Sequence, residues 1–220
     1  MIKYPPFISI EGVDKAGKTT LINLLNKYQD LIHWTGKRIV FTREPGGFDN
    51  PKAEKLRTFI LGNEFDVITQ TYLFAASRNE HVINTIRPNL SVGNIVITDR
   101  YIDSSFVYQG IIGNLGIDAV KEINKYAIHD IMPTITIVLV ISPQESVRRL
   151  KEVTDPKEIN VFDEKVYLVN ADKIHEGFIS LKKKFPERIH LIDGTNNPKD
   201  ILMNVAAGFT VRVQLNYSDK

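Results

Sequence analysis

The 220-residue chain is 43% hydrophobic and 25% charged, carries a formal net charge of +2 and has no cysteine. These values suit a single soluble globular domain. They exclude disulfides, thiolate metal ligands and a cysteine nucleophile, and they leave too little net charge to argue for a nucleic-acid partner.

Met1 to Pro6 lead almost at once into the first strand, so no secretory signal is expected. No apolar run reaches the length of a bilayer crossing, so no membrane partner is expected. A cysteine-free chain is expected in a reducing cytoplasm. Phe7-Ile8-Ser9-Ile10 is a short apolar run of the kind that forms a buried strand. Behind it, Gly12-Val13-Asp14-Lys15-Ala16-Gly17-Lys18-Thr19 fits the phosphate-cradling pattern G-x-x-x-x-G-K-[ST]. Thr20 to Tyr28 then reads as a helix whose N-terminal amides face the turn. Gly12 and Gly17 are expected to let the backbone approach an anion, with Asp14, Lys15, Ala16 and Thr20 in the same cradle. Lys18 can reach the outer phosphates and the Thr19 hydroxyl can ligate Mg²⁺. A bound nucleoside triphosphate follows.

Arg38 to Thr42 reads as a second strand, broken by Pro45, Gly46 and Gly47. Helical spacing predicts one helix over about 51–61, with Leu56, Ile60 and Leu61 as its apolar face, and a longer one over about 67–86 that stops before Pro88. Ile95 to Thr98 is a third strand with Asp99 at its carboxyl edge, followed by helices over about 103–110 and 116–129. Ile135 to Ile141 is a wholly apolar strand, as in the middle of a parallel sheet. Ser142-Pro143-Gln144-Glu145 has capping-box spacing and opens another helix. Residues from about 152 to 162 are polar and broken by Asp155-Pro156. A helix over about 164–184, a last strand over 189–192 and a helix after Pro198 finish the chain. This alternation predicts an α/β fold, a five-stranded parallel sheet with helices on both faces, and ligands at the carboxyl ends of the strands. The phosphate loop, Arg43 and Asp99 all fall at such ends.

Isolated side chains are less telling. Phe74 alone reads as a core residue of an amphipathic helix, Arg57 and Arg78 as solvated charges, Tyr108 and Gln109 as packing and surface, and Asp99 as a cap. The five histidines, His33, His81, His129, His175 and His190, have no ligand spacing and none is a compelling base.

The order of longer motifs shifts those odds. Asp99-Arg100-Tyr101-Ile102-Asp103-Ser104-Ser105-Phe106-Val107-Tyr108-Gln109-Gly110 closely resembles the signature segment of thymidylate kinases, the P-loop kinases that phosphorylate dTMP. Thr42-Arg43-Glu44-Pro45-Gly46-Gly47 resembles the bacterial form, with further agreement at Glu54 to Arg57, Leu73 to Arg78 and Leu115 to Asp118. The likeness runs in order over about residues 7–195. It implies one P-loop NTPase domain over 1–220 with a lid at about 150–163, ATP and Mg²⁺ as cofactors, dTMP as the second substrate, and a homodimer.

The same resemblance assigns roles. Phe74 would stack on thymine, Arg78 would donate to a base carbonyl, and Ser105 and Gln109 would complete the hydrogen bonds to the base edge. Asp14 would bind the 3′-hydroxyl, Arg57 and Arg100 would hold the acceptor phosphate, and Ser104 and Tyr108 would belong to the same pocket. Thr19 and Asp99 would hold Mg²⁺, with Glu44 arranging water and metal between the nucleotides. Lys18, Arg100, Lys15 and Arg149 would be the catalytic cations. Relatives usually have glycine at the place of Lys15 and several arginines in the lid. The lid here is poor in arginine, so Lys15 is expected to supply part of the missing charge, with Arg149 as the remaining lid cation.

Overall fold

In the computed structural model, which describes residues 6–29, 37–152 and 161–217, the apolar runs pair into one sheet. The strands are β1 (Phe7–Gly12), β2 (Ile39–Arg43), β3 (Ile95–Asp99), β4 (Ile135–Val140) and β5 (Ile189–Asp193). Their order is β2-β3-β1-β4-β5 and every neighbouring pair is parallel. Strands covered on both faces must be apolar on both, and β1 is buried at every position. Ile8, Ile10, Ile97 and Val138 lie in the core, where each such side chain contributes about 1.5–3 kcal/mol. The strand order turns about β1, so the carboxyl ends of β1, β2 and β3 open on one crevice, the usual ligand position in such sheets.

The helices are α1 (Lys18–Lys27), α2 (Pro51–Leu61), α3 (Val67–His81), α4 (Arg87–Ser91), α5 (Ile102–Ser105), α6 (Ile117–Asn124), α7 (Pro143–Lys151), α8 (Val161–Lys184) and α9 (Pro198–Tyr217). Local chemistry explains several ends. Asn50 caps α2 by accepting from the Ala53 amide, Asp66 caps α3, and Ser142 caps α7 by accepting from the Glu145 amide, with Pro143 at the first turn. Glu145 does not close the expected capping box, because its carboxylate is held by Arg148 and Arg149 instead.

Two helices depart from their sequence pattern. The segment expected to stop before Pro88 passes through a π-helical turn, Val82–Ile86, and continues as α4 to Ser91. Proline offers no N–H and clashes with the carbonyl four residues back. A wider turn just ahead relieves both demands. The helix expected over 103–110 is instead α5 followed by a π-helical turn at Phe106–Ile112, which carries Tyr108 and Gln109. On α2 the buried residues are Ala53 and Ile60, while Leu56 and Leu61 are half-buried. Helix α8 is interrupted at Asn170, and α9 carries the backbone through Tyr217. Of the expected lid, residues 153–160 lie outside the described residues.

One ion pair, fully buried on its acidic side and partly on its basic side, ties the sheet to this region. Asp103 is fully buried, accepts two bonds from the Arg188 guanidinium at 2.6 and 2.7 Å and a third from Thr136 at 2.9 Å. Removing one partner of such a pair strands the other charge in low dielectric. Arg188→Met is therefore expected to lower unfolding free energy by about 3–5 kcal/mol, read from urea denaturation.

Candidate active site

The phosphate loop starts where β1 can go no further. A Cβ on Gly12, at φ 135°, would stand 2.4 Å from the Leu139 carbonyl oxygen, so the absent side chain serves the packing of β1 on β4. The sequence had suggested only approach to an anion. Gly17 is different: it caps α1 in the left-handed region at φ 100°, and a Cβ there would meet nothing closer than 3.9 Å. Lys15 takes φ 59° without being glycine, a conformation that costs an L-residue roughly 1–2 kcal/mol. Lys18 is buried, donating to the carbonyls of Gly12 at 3.2 Å and Val13 at 2.8 Å. Burial, and then the charge of Arg100, lower its pKa. From α7, Ser146 donates to the Asp14 carbonyl at 2.6 Å, and Arg149 reaches the Lys15 carbonyl at 3.2 Å while its Nε binds Glu145 at 2.7 Å.

The end of β3 supplies the next charges. Arg100 sits at φ 67°, and its side chain donates to the Gly12 carbonyl, to Ser104 at 2.9 Å and to Asp14. Its guanidinium also lies 5.6 Å from the centre of the Tyr108 ring. Behind it, at the end of β1, is Glu11. This fully buried carboxylate accepts from the Ser9 hydroxyl at 2.8 Å, the Tyr101 amide at 2.7 Å and the Ser104 hydroxyl at 2.6 Å. Burial and the nearby Asp103 charge push its pKa up to about 7, against the opposing pull of Arg100 and the two hydroxyls.

A second carboxylate network organises the far side. Glu44 accepts from Arg78 Nε at 2.8 Å and faces His81 Nδ1 at 3.0 Å, while His81 Nε2 lies 2.6 Å from the Thr42 hydroxyl. Arg78 is 2% exposed and its other nitrogens donate to Ser105 and Asn124. Arg57 donates to the Pro45 carbonyl at 2.7 Å, and the Gly46 amide rests on Ser77. Gln109 donates to Gln70 at 2.8 Å. Phe74 is half-buried rather than a core residue.

The phosphate loop, the end of β3 and the far-side network border one cleft of about 810 Å³. Its wall contains Asp14, Lys15, Gly17, Lys18, Thr19 and Thr20 from the phosphate loop and Glu44, Arg57, Phe74, Arg78, Asp99, Arg100, Ser104, Ser105, Tyr108, Gln109 and Arg149 from elsewhere. Gly12 and Ala16 are buried within the loop and do not line the cleft. Sequence reasoning passed over Glu11, Asn124 and Gln70, and weighed His81 only as a base. Glu11 had a legible signal, an acidic residue continuing a strand that the fold buries; the others did not. His33 lies outside the described residues.

The wall carries oxygen donors of the kind a divalent cation takes. Asp99 Oδ1 and Asp14 Oδ2 are buried with no hydrogen-bond partner among the described residues, and the Thr19 hydroxyl is exposed to the same cleft. Hard oxygen donors of this kind suit Mg²⁺. Glu44 already engages Arg78 and His81 through its two oxygens, which suits a role through water rather than as a direct ligand.

Comparison with known proteins gives one consistent result. A family model described as thymidylate kinase matches residues 10–205. The chain is similar to the thymidylate kinase of Bacillus velezensis, 38% identical over 201 residues, covering 90% of this chain and 92% of that one. It is similar to the thymidylate kinase of Mycoplasma mobile, 39% identical over 207 residues and covering 92% and 97%. Among solved structures, the thymidylate kinase from Ehrlichia chaffeensis superposes with a TM-score of 0.73 at 28% identity, covering 94% of this chain and 99% of that one.

The raised pKa of Glu11 has a sign that can be read in solution. Its ordinary value is 4.5 and the folded value about 7, so the folded state holds the proton more tightly. The associated stability is present below pH 4.5 and is lost as pH rises through 7. The full effect is roughly 3 kcal/mol. Urea unfolding from pH 5 to 8 is expected to show this decline in the wild type and to lose that component in Glu11→Gln, which has no proton to release.

Proposed function

The chain belongs to the thymidylate kinase family, and on that premise we propose that it transfers the γ-phosphoryl group of ATP to dTMP, giving dTDP and ADP. One observation carries the reading: the phosphate loop and the set Phe74, Arg57, Arg78 and Arg100 line the same cleft, so a donor polyphosphate and a pyrimidine monophosphate can meet within it. The fold is that of a P-loop NTPase.

The proposed division of labour follows side-chain chemistry. The loop amides and Lys18 bind the donor phosphates, with Thr20 at the start of α1 beside them. Phe74 stacks on thymine. Arg78, Ser105 and Gln109 meet its polar edge, where a mismatched base would leave buried groups unpaired. Asp14 takes the 3′-hydroxyl, and Arg57 with Arg100 holds the acceptor phosphate. Thr19 and Asp99 would hold Mg²⁺, which supplies positive charge against the donor phosphates, with Glu44 ordering water between the nucleotides.

No protein base is required. A phosphate monoester has a second pKa near about 6 and is largely a dianion at neutral pH, so its oxygen attacks without surrendering a proton. Alignment and charge neutralisation remain the protein's task. Lys15 and Arg149, which flank the donor side of the cleft, are proposed as the cations that offset the transferring charge. The left-handed backbone of Lys15 is then a strain accepted to put a cation where glycine would rest more easily. A homodimer is proposed as well, since Phe59 on α2 and Ile68 and Tyr72 on α3 are exposed. A cytoplasmic setting suits the cysteine-free sequence.

The test is ADP release with dTMP, dUMP, dCMP, dGMP and thymidine as acceptors. dTMP is expected to give the highest kcat/KM, and ATP turnover independent of any monophosphate would defeat the reading. Phe74→Ala is expected to weaken dTMP binding by about 1–3 kcal/mol in calorimetry without changing ATP binding. Lys15→Gly is expected to keep or raise the Tm, while kcat falls on the order of 10²-fold; unchanged turnover would remove Lys15 from the catalytic set.

A further inference from the structure

Charged side chains are almost never fully buried unless their surroundings demand it, and Glu11 is 0% exposed. Its partners show what is demanded. Glu11 Oε1 accepts from the Tyr101 amide, one residue past Arg100, and from Ser9 on its own strand. Glu11 Oε2 accepts from the Ser104 hydroxyl, and that hydroxyl oxygen in turn accepts from Arg100 Nη1 at 2.9 Å. The Arg100 backbone is pinned on either side as well: its amide donates to the Ile10 carbonyl at 3.0 Å, and its carbonyl accepts from Thr98 at 2.9 Å. A left-handed arginine persists only where its neighbours over-determine it, and the carboxylate supplies two of the contacts that do so.

We propose that Glu11 is a positioning residue for the phosphoryl acceptor: through the Tyr101 amide and the Ser104 hydroxyl it fixes the turn and the guanidinium of Arg100. The proposal rests on the reading of Arg100 as a dTMP-phosphate ligand. Ser104 is the relay, because a hydroxyl whose proton is committed to Glu11 keeps its lone pairs for Arg100. In Glu11→Gln the oxygen can stay under Tyr101 and Ser9, but an amide N–H₂ then faces Ser104. The Ser104 oxygen must accept from that amide and from Arg100 together, and its proton loses its acceptor. The substitution removes a charge that the fold disfavours, as its raised pKa indicates. Stability and function should therefore part company.

The experiment measures kcat, the KM for dTMP and for ATP, and the Tm at pH 8, where Glu11 is ionised. Glu11→Gln is expected to melt no lower than the wild type, to raise the dTMP KM about tenfold and to leave the ATP KM unchanged. Ser104→Ala is expected to raise the dTMP KM by a similar factor, and the double variant to be no worse than either single one, because both break the same relay. An unchanged dTMP KM in Glu11→Gln, equal losses for both substrates, or independent factors that multiply in the double variant would each overturn the proposal. If Glu11→Gln does not fold, Ser104→Ala decides alone, and an unchanged dTMP KM there overturns it. A wild type inactive towards dTMP defeats the functional reading and this proposal together, whereas an active wild type with unaffected variants defeats this proposal only.

Discussion

A side chain on Gly12 would stand 2.4 Å from the Leu139 carbonyl, so β1 can lie this close to β4 only by ending in a glycine. That constraint sets the point at which the chain leaves the sheet, and with it the position of the phosphate loop and of the α1 N-terminus. It also brings Glu11, one residue earlier, level with the turn after β3, where the Tyr101 amide and the Ser104 hydroxyl wait as donors. The cradle for a polyphosphate and the setting of the nearest arginine thus derive from one strand end.

The cleft repeats a single electrostatic arrangement. Arg100 is backed by Glu11 through Ser104 and by Asp14 directly, and Arg78 is backed by Glu44. Buried charges need partners in low dielectric, and partners that fix orientation also fix the donors left facing the cavity. His81 belongs to this scheme as a link between Glu44 and Thr42, not as a base. His81, Glu11 and Glu44 are removed from solvent, so what they contribute is geometry.

Two of the five left-handed non-glycine residues among those described stand at the same place, Asn114, His129 and Asp130 lying outside the cleft. Among the described residues Lys15 and Arg100 are both left-handed without being glycine, and both face the cleft. Each is a position where a cation is held in a conformation its own backbone disfavours. A stability argument alone would replace Lys15 by glycine and Glu11 by a neutral isostere. That both stand as they do fits a site in which charge placement outweighs local ease.

Much of this was legible from the chain alone. The strand–loop–helix spacing around Gly12 to Thr19, the apolar runs of β1, β3 and β4, and the cap at Ser142 are local physics, and local physics is written in consecutive residues. The pairing order β2-β3-β1-β4-β5, the π-helical turns before Pro88 and through Tyr108 and Gln109, and the commitment of Glu44 to Arg78 and His81 were decided by tertiary packing. So were the partners of Glu11, which lie 90 and 93 residues away in sequence. Hydrogen-bond partners brought together by a parallel sheet leave no periodic trace in the sequence, because crossover connections separate them by whole helices.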